Sequence, residues 1–174
     1  MVLWLGAGDA HKLLEELVRE EYGLPALPTL ARAENGKPFF PERPGLHFNL
    51  SHSRGLSLCG VGTAPMGVDV EAVRPRRPGL PGHVFSEKEY AWFRERGGDW
   101  GSFYTLWTLK EARVKCTGIG LRQGPRSIAV PLLAPGEAGT LDGLAFRAYA
   151  GEGWRAAACC GGEEEPPRHI VRIS

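Results

Sequence analysis

Three side chains with complementary chemistry recur at four-residue intervals in residues 103–121, whose sequence is FYTLWTLKEARVKCTGIGL. If this segment forms a helix that ends at Gly118, then Trp107, Glu111 and Lys115 lie on nearly one face. An acid that can accept a proton then stands beside a cation that can stabilise negative charge. A glutamate four residues before a lysine is also the favourable orientation of an ordinary surface pair, worth only about 0.2–0.5 kcal/mol. The helix alone leaves both interpretations open.

Two further carboxylates share one face of a predicted strand. In the sequence GVDVE at 67–71, Asp69 and Glu71 are two residues apart, while Val68 and Val70 pack on the opposite face. At a separation of about 5–7 Å, two such charges repel by about 2–3 kcal/mol at an effective dielectric of about 20. A solvated face would screen this repulsion. In a partly buried setting, a hard divalent cation is the natural partner of two oxygen donors.

Capping residues predict the helices that position these groups. Asp9 and Gly23 bound a helix over residues 9–22, and Ser86 with Glu89 forms a capping box that opens a second helix. Ser102 is the predicted N-cap of the helix that carries the acid and the cation.

Alternating or densely apolar segments predict the strands. The first three are expected to pair as an antiparallel meander, and residues 161–168 form a polar turn. The predicted strands are residues 46–50, 56–61, 66–70, 127–133, 144–150, 154–160 and 169–173.

Composition limits the classes of function. The chain has 174 residues, enough for one domain or one body of two lobes. A formal net charge of +1 argues against a nucleic-acid-binding protein. No apolar run is long enough to span a membrane, and the first six residues do not make a signal peptide. The four cysteines form no CxxC motif, so a reduced, cytoplasmic protein is expected.

Five motifs together resemble one family. They are NGKP at 35–38, NLSHS at 49–53, GVDVE at 67–71, FSEKEY at 85–90 and WTLKEARVK followed by GIGL within 107–121. In this order and at similar spacing they resemble the surfactin-type 4'-phosphopantetheinyl transferases. The specific part is the pair GVDVE and WTLKEARVK, in which an Asp-x-Glu strand precedes Trp-x-x-Lys-Glu-x-x-x-Lys by some forty residues. NGKP or NLSHS alone would be weak.

The resemblance implies an enzyme that moves the phosphopantetheine arm of coenzyme A to a serine of an acyl or peptidyl carrier protein. The other product is adenosine 3',5'-bisphosphate. Asp69, Glu71 and Glu111 would hold Mg²⁺, with Mn²⁺ as an alternative, against the diphosphate of coenzyme A. Glu111 would serve as the base, directly or through a metal-bound water, and Lys115 would stabilise the leaving group.

The resemblance also implies a nucleotide site. Ser51 and His52 match positions that bind the 3'-phosphate of coenzyme A, and the segment Gly36, Lys37, Pro38 matches one that lines the adenine pocket. Lys12 falls where the family places a basic residue near the same nucleotide, although a solvated helix lysine is an equal alternative. Asp69 and Lys115 would also contact coenzyme A. Lys110 and Trp107 are expected to support the metal-binding helix and to pack the lobe interface.

The implied fold is α+β, with two similar lobes in one chain and the active site at their junction. We expect a single catalytic domain over residues 1–174, with approximate lobes 1–80 and 81–174. Only eight residues precede Asp9, whereas family members carry a few dozen more, including basic residues for the 3'-phosphate. Another basic group, with Arg32 as a candidate, would substitute, or affinity for coenzyme A would be reduced.

The expected partners are a carrier protein and coenzyme A. A basic loop at residues 74–77 would steer an acidic carrier protein to the site. No nucleic-acid or membrane partner is expected, and a monomer is favoured over a dimer. The alternatives are a non-catalytic coenzyme A- or carrier-binding member of the same fold, and another magnesium-dependent enzyme that acts on a nucleotide diphosphate.

Overall fold

The computed structural model describes residues 1–120 and 124–173. Its helices are α1 Ala10–Tyr22, α2 Leu80–Val84, α3 Glu87–Glu95 and α4 Trp100–Thr117, with a 3₁₀ turn at Pro125–Ser127. Its strands are β1 Val2–Ala7, β2 Ala31–Arg32, β3 Pro38–Phe39, β4 His47–Ser53, β5 Leu56–Gly62, β6 Met66–Ala72, β7 Ala138–Leu141, β8 Leu144–Gly151, β9 Trp154–Cys160 and β10 Val171–Arg172. The architecture is therefore α+β, as predicted.

The first sheet has the strand order β10-β1-β5-β4 and is covered by α1. Helix α1 begins where Asp9 accepts the backbone N–H groups of His11 and Lys12, and it ends at Gly23 in the left-handed conformation. Its apolar residues recur every three to four positions, so they form one buried stripe against the sheet. These are Leu13, Leu14, Leu17 and Val18. The boundaries predicted for this helix are confirmed.

The second sheet has the order β6-β9-β8-β7, and α3 and α4 cover one face of it. The other face packs on the first sheet through a core that includes Leu58 on one side and Val68 and Val70 on the other. Each sheet therefore carries its own helical cover, and the two sheets share a third core between them.

The predicted antiparallel meander is wrong in its third strand. β4 and β5 pair antiparallel as expected, but β1 occupies the other side of β5. β6 instead pairs with β9, with Asp69 opposite Ala157. β6 precedes residue 80 but belongs to the second sheet, whereas β10 follows residue 80 and belongs to the first. Strand pairing therefore crosses the approximate lobe boundary at residue 80.

Two local predictions in the second half need correction. Ser102 is not the N-cap of α4, because Asp99 accepts the Ser102 N–H at 2.7 Å and the helix begins at Trp100. Gly118 does end the helix, and position 121 lies outside the described residues. Residues 128–133 form no strand, since Pro131 has no N–H and side chains of α4 take the carbonyls of Ile128 and Ala129.

Strand predictions near the C-terminal end were confirmed in part. β9 spans the predicted residues and β8 extends the predicted strand by one residue. Only Val171–Arg172 is a strand within 169–173. Five elements had no prediction: β1, the short strands β2 and β3, α2 and β7. Within residues 1–120 and 124–173, no helix combines the length and the apolarity needed to cross a bilayer.

Candidate active site

The site is built on a seam where β4 lies beside β6. Alternate polar side chains of β4, those of Asn49, Ser51 and Ser53, accept backbone N–H groups of β6 at 2.8, 3.2 and 3.3 Å. Each acceptor lies 19 positions before its donor, so the two strands run in the same direction. Side chains of one strand thus take the place of a backbone ladder, which explains the polar alternation in NLSHS.

The same serines hold the two carboxylates of β6. Ser51 donates to Asp69 Oδ1 at 2.8 Å, and Ser53 donates to Glu71 Oε2 at 2.7 Å. Both carboxylates leave the same face of the strand, as the two-residue spacing predicted. Asp69 is only 5% exposed, and its second oxygen, Oδ2, is buried without a hydrogen-bond partner among the described residues.

Helix α4 crosses β6 at Gly67, where the two backbones touch. A methyl group at Gly67 would lie 2.1 Å from the carbonyl oxygen of Ala112 and 2.4 Å from the amide nitrogen of Cys116. No side chain fits in that space, so glycine is required for the helix to lie this close to the strand. The contact sets Glu111 and Lys115 against the carboxylates of β6.

Lys115 bridges the helix and the strand. Its Nζ lies 2.8 Å from Asp69 Oδ1 and donates to the carbonyl oxygen of Val68 at 3.1 Å. Burial raises the pKa of Asp69, and the neighbouring charge of Glu71 adds to this effect. The Lys115 ammonium and the Ser51 hydroxyl favour the ionised carboxylate and oppose the rise.

Glu111 faces the same cluster without a partner of its own. Among residues 1–120 and 124–173 its carboxylate makes no hydrogen bond or ion pair. Burial raises the pKa of its carboxyl group, and repulsion from Asp69 and from Glu71 raises it further, against the attraction of Lys115. Three carboxylates therefore share one region with one ammonium group, an arrangement that favours an added cation or a proton.

The donor set suits a divalent cation on chemical grounds. The unpartnered Oδ2 of Asp69 and the mutual repulsion of Asp69 and Glu111 are both relieved by a hard cation that binds oxygen. The described part of the chain nevertheless contains no group of three or more His, Cys, Asp or Glu side chains already arranged to hold a metal ion. The carboxylates thus suit a metal ion by the type and proximity of their donor atoms, although they do not form a ready-made coordination site.

The NGKP segment lines a cavity of about 280 Å³ beside Lys115. Gly36, Lys37 and Pro38 form one wall, and residues at the end of α4 form another. The Lys37 ammonium donates to the carbonyl oxygens of Met66 and Lys115, both at 2.8 Å. Burial lowers the pKa of Lys37. Lys37 therefore stabilises the free carbonyls at the end of α4 as well as lining the cavity.

Ser51 and His52 leave opposite faces of β4, and Lys12 lies near the start of α1. Ser51 points toward β6 and is committed to Asp69, whereas His52, the next residue on the strand, is exposed on the opposite face. Lys12 is exposed on α1. The opposite orientation of Ser51 separates it from His52, and the contact of His52 and Lys12 with a phosphate stays a prediction.

A second cavity, of about 420 Å³, opens on the other side of the carboxylates. Glu71 and Arg76 line its polar side, and Trp107, Phe103 and Tyr104 line its aromatic side. Trp107 stacks on Phe103 with ring centroids 6.3 Å apart. The sequence analysis identified Trp107 but not Tyr104 as a residue of the site. The position of Tyr104 on α4 does not distinguish it from an ordinary core aromatic residue.

Lys110 supports α4 from behind. It is fully buried, and its Nζ lies 2.7 Å from Glu89 Oε1 and 2.6 Å from the carbonyl oxygen of Ile128. Glu89 also completes the capping box with Ser86, as predicted, and its ion pair with Lys110 is a second role that the sequence did not indicate. Desolvation lowers the pKa of Lys110, and the Glu89 carboxylate opposes that change.

The fold and the site define a carboxylate-and-lysine centre between two α+β units, a set of groups suited to phosphoryl chemistry. A sequence model of the 4'-phosphopantetheinyl transferase superfamily matches residues 65–159, and the chain belongs to this superfamily. The matched region contains the helices α2, α3 and α4 and the second sheet except the last residue of β9.

Several curated proteins are similar to the chain. A 4'-phosphopantetheinyl transferase of Bacillus subtilis is 36% identical over 133 residues, covering 71% of this chain and 59% of that protein. The 4'-phosphopantetheinyl transferase Sfp of Bacillus subtilis strain 168 is 31% identical over 138 residues, with 74% and 62% coverage. The 4'-phosphopantetheinyl transferase HetI of a Nostoc species is 39% identical over 94 residues, with 49% and 40% coverage. The aligned region thus spans less than two thirds of each relative.

Proposed function

We propose that this protein transfers the 4'-phosphopantetheine arm of coenzyme A to a serine hydroxyl of an acyl or peptidyl carrier protein. Adenosine 3',5'-bisphosphate is the second product. The observation that carries the proposal is the contact of α4 with β6, where Lys115 Nζ lies 2.8 Å from Asp69 Oδ1 beside the unpartnered Glu111. Membership of the superfamily and the names of the relatives support the same reaction.

In this proposal Asp69, Glu71 and Glu111 hold Mg²⁺, with Mn²⁺ as an alternative. When bound, the ion would neutralise negative charge on the diphosphate of coenzyme A. The orphaned Oδ2 of Asp69 and the raised pKa of Glu111 support this assignment, because both disfavour a cluster of carboxylates without a cation.

The remaining chemistry belongs to side chains of α4. Glu111 accepts the proton of the carrier serine, and its raised pKa makes it a stronger base than an ordinary glutamate. Lys115, one helical turn further on, stabilises the charge that develops on the departing phosphate. The serine oxygen forms a bond to phosphorus while the bond from phosphorus to the adenosine bisphosphate breaks.

Coenzyme A has two cavities to occupy beside this centre. We assign its adenine to the cavity lined by Gly36, Lys37 and Pro38, because Lys115 also lines that cavity and connects it to the carboxylates. We keep His52 and Lys12 as candidates for the 3'-phosphate because both side chains are exposed and make no hydrogen bond or ion pair within the described ranges, whereas Ser51 is hydrogen-bonded to Asp69.

The cellular context is also proposed. The three cores join both sheets, which supports one catalytic domain, and a monomer is favoured with a dimer as the alternative. All four cysteines are free and buried, which supports a reducing compartment such as the cytoplasm.

The test is intact-mass analysis of an apo carrier protein incubated with this protein, coenzyme A and Mg²⁺. We expect a gain of about 340 Da, the mass of the phosphopantetheine group. The gain should disappear with EDTA and in the Asp69→Ala and Glu111→Ala variants. Glu95→Ala, at an exposed carboxylate of α3, is the matched control and should retain the gain.

The outcomes separate the rival functions. Binding of coenzyme A without modification of several carrier types would favour a non-catalytic binding member of the fold. Hydrolysis of coenzyme A without a carrier would favour a different enzyme acting on nucleotide diphosphates. Modification that survives in both carboxylate variants would refute the assigned site.

A further inference from the structure

A large groove lies between the β8–β9 hairpin and the segment that leads into β10. Its volume is about 770 Å³, and it shares no lining residue with the two cavities beside the carboxylates. We call it the basic groove, after the residues that characterise it: Arg147, Tyr149, Trp154, Arg168, His169 and Arg172. Its size falls within the range of about 300–1,000 Å³ that is usual for small-molecule sites.

The charge of the basic groove is of one sign. Three arginines and a histidine line it, and none of its described lining residues is acidic. Arg147 is held in place by hydrogen bonds to the carbonyl oxygens of Gly136 and Pro166, both at 3.1 Å. Within the described ranges, the side chains of Arg168 and Arg172 make no hydrogen bond or ion pair. Their guanidinium groups are therefore available to a ligand, and guanidinium matches the geometry of phosphate oxygens.

The floor of the groove contains an unsatisfied donor. Trp154 is 6% exposed, and its indole Nε1 is buried with no acceptor among the described residues. The ring lies flat against Gly151, where an added methyl group would come within 2.4 Å of Nε1. Buried donors without a partner are rare in folded proteins and call for an explanation. Nε1 itself has almost no accessible surface, so a ligand in the groove meets the exposed part of the ring and not this atom.

We propose that the basic groove binds a phosphorylated small molecule. Arg147, Arg168 and Arg172 contact its phosphate oxygens, and the ring of Trp154, which lines the groove, reports the bound molecule. The proposal does not rest on the transferase function, because no residue of the groove belongs to the carboxylate site. The same phosphate chemistry is offered by inorganic diphosphate and by a nucleotide, so both serve as probes.

The test uses the full chain labelled with ¹⁵N-tryptophan and titrated at constant salt. The five tryptophans report separately through their indole N–H signals, and Trp154→Phe identifies the signal of interest. Inorganic diphosphate is the probe in one arm and adenosine 3',5'-bisphosphate in the other. We expect the Trp154 signal to move in a saturable way in at least one arm. A shift with diphosphate indicates recognition of bare phosphate, and a shift with the nucleotide alone indicates that the base contributes.

Charge reversal provides the second measurement. Arg168→Glu with Arg172→Glu should weaken binding by at least about tenfold, since two charge-assisted contacts are lost. Arg19→Glu with Arg94→Glu makes the same change in net charge on exposed helix faces and should leave binding within about threefold. A Trp154 signal that stays fixed in both arms, or equal affinity in the two double variants, would overturn the proposal. So would a shift confined to Trp107, which would place the anion beside the carboxylates.

Discussion

Lys115 pairs with Asp69 of the neighbouring strand and not with Glu111, the glutamate four residues before it on the same helix. The distance from Lys115 Nζ to Asp69 Oδ1 is 2.8 Å, and the aspartate is 5% exposed. A pattern that resembles surface decoration is therefore the contact that joins α4 to β6. It also leaves the Glu111 carboxylate without an ion pair among the described residues, from which the first prediction follows.

Glu111→Gln should abolish transfer and stabilise the fold at neutral pH. Because the pKa of Glu111 is raised in the folded chain, its ionisation disfavours the native state above the ordinary carboxyl range. The glutamine variant removes that penalty, so its melting temperature at pH 7 should exceed that of the native protein. The difference should shrink on acidification, where both side chains are neutral. Thermal unfolding between pH 4 and pH 8, without metal, measures it, and a lower melting temperature at pH 7 would contradict the cause assigned to the shift.

Gly67→Ala should separate α4 from β6. The added methyl group would meet backbone atoms of α4 at 2.1 and 2.4 Å, and backbone cannot rotate away. We expect a loss of about 1–3 kcal/mol in the free energy of unfolding, and a larger loss of activity. Gly45→Ala is the control, because a methyl group there meets nothing within 4 Å. Urea denaturation and the transfer assay compare the two, and equal behaviour would show that the close crossing is unimportant.

Lys110 and Glu89 should be strongly coupled. Lys110→Met leaves the Glu89 carboxylate in a buried position without its cation, which typically destabilises a protein by about 3–5 kcal/mol. Glu89→Gln leaves the opposite charge unpaired. The double variant should lose less than the sum of the two single losses. A double-mutant cycle from denaturation data measures this coupling, and strict additivity would exclude a direct ion pair.

Ser51 and His52 should separate stability from substrate binding. Ser51→Ala leaves the Val70 N–H without its acceptor and should destabilise the fold by about 1–3 kcal/mol. His52→Ala, at an exposed position, should change stability by less than about 0.5 kcal/mol. If His52 contacts the 3'-phosphate, its replacement raises the KM for coenzyme A. Steady-state kinetics tests this, and an unchanged KM would remove His52 from the nucleotide site.

The basic loop should act on association with the carrier protein. Changing Arg74, Arg76 and Arg77 to Glu should slow modification most at low salt, because salt screens long-range attraction. The same number of charges reversed at the exposed Arg19, Arg43 and Arg94 is the control. The rate of carrier-protein modification is measured for both triple variants across a range of salt concentrations. An identical salt dependence in both triple variants would argue for net charge alone and against docking at the loop.

Local signals in the sequence predicted the parts of the fold that depend on neighbours along the chain. Asp9 and Gly23 bound α1 as predicted, and the alternation around Asp69 placed both carboxylates of β6 on one face. Such features depend on caps and on the two-residue period of a strand, which can be read locally.

The errors arise where distant segments compete for the same partner. No local signal shows that β1 takes the edge of β5 and sends β6 to β9. The alternating polar residues of β4 resemble a ligand site, yet Asn49 and Ser51 act first on the backbone of β6. Asp99 displaced Ser102 as the cap of α4 because both can accept an N–H group and only geometry decides between them.

The seam between β4 and β6 has a consequence for solubility. Each strand lies at the edge of its sheet, and an open edge is a template for pairing with a strand of another molecule. Here the outward N–H groups of β6 are occupied by side chains of β4, so neither edge is free to recruit a third strand. The serines that orient the acidic residues thereby also guard the protein against edge-to-edge aggregation.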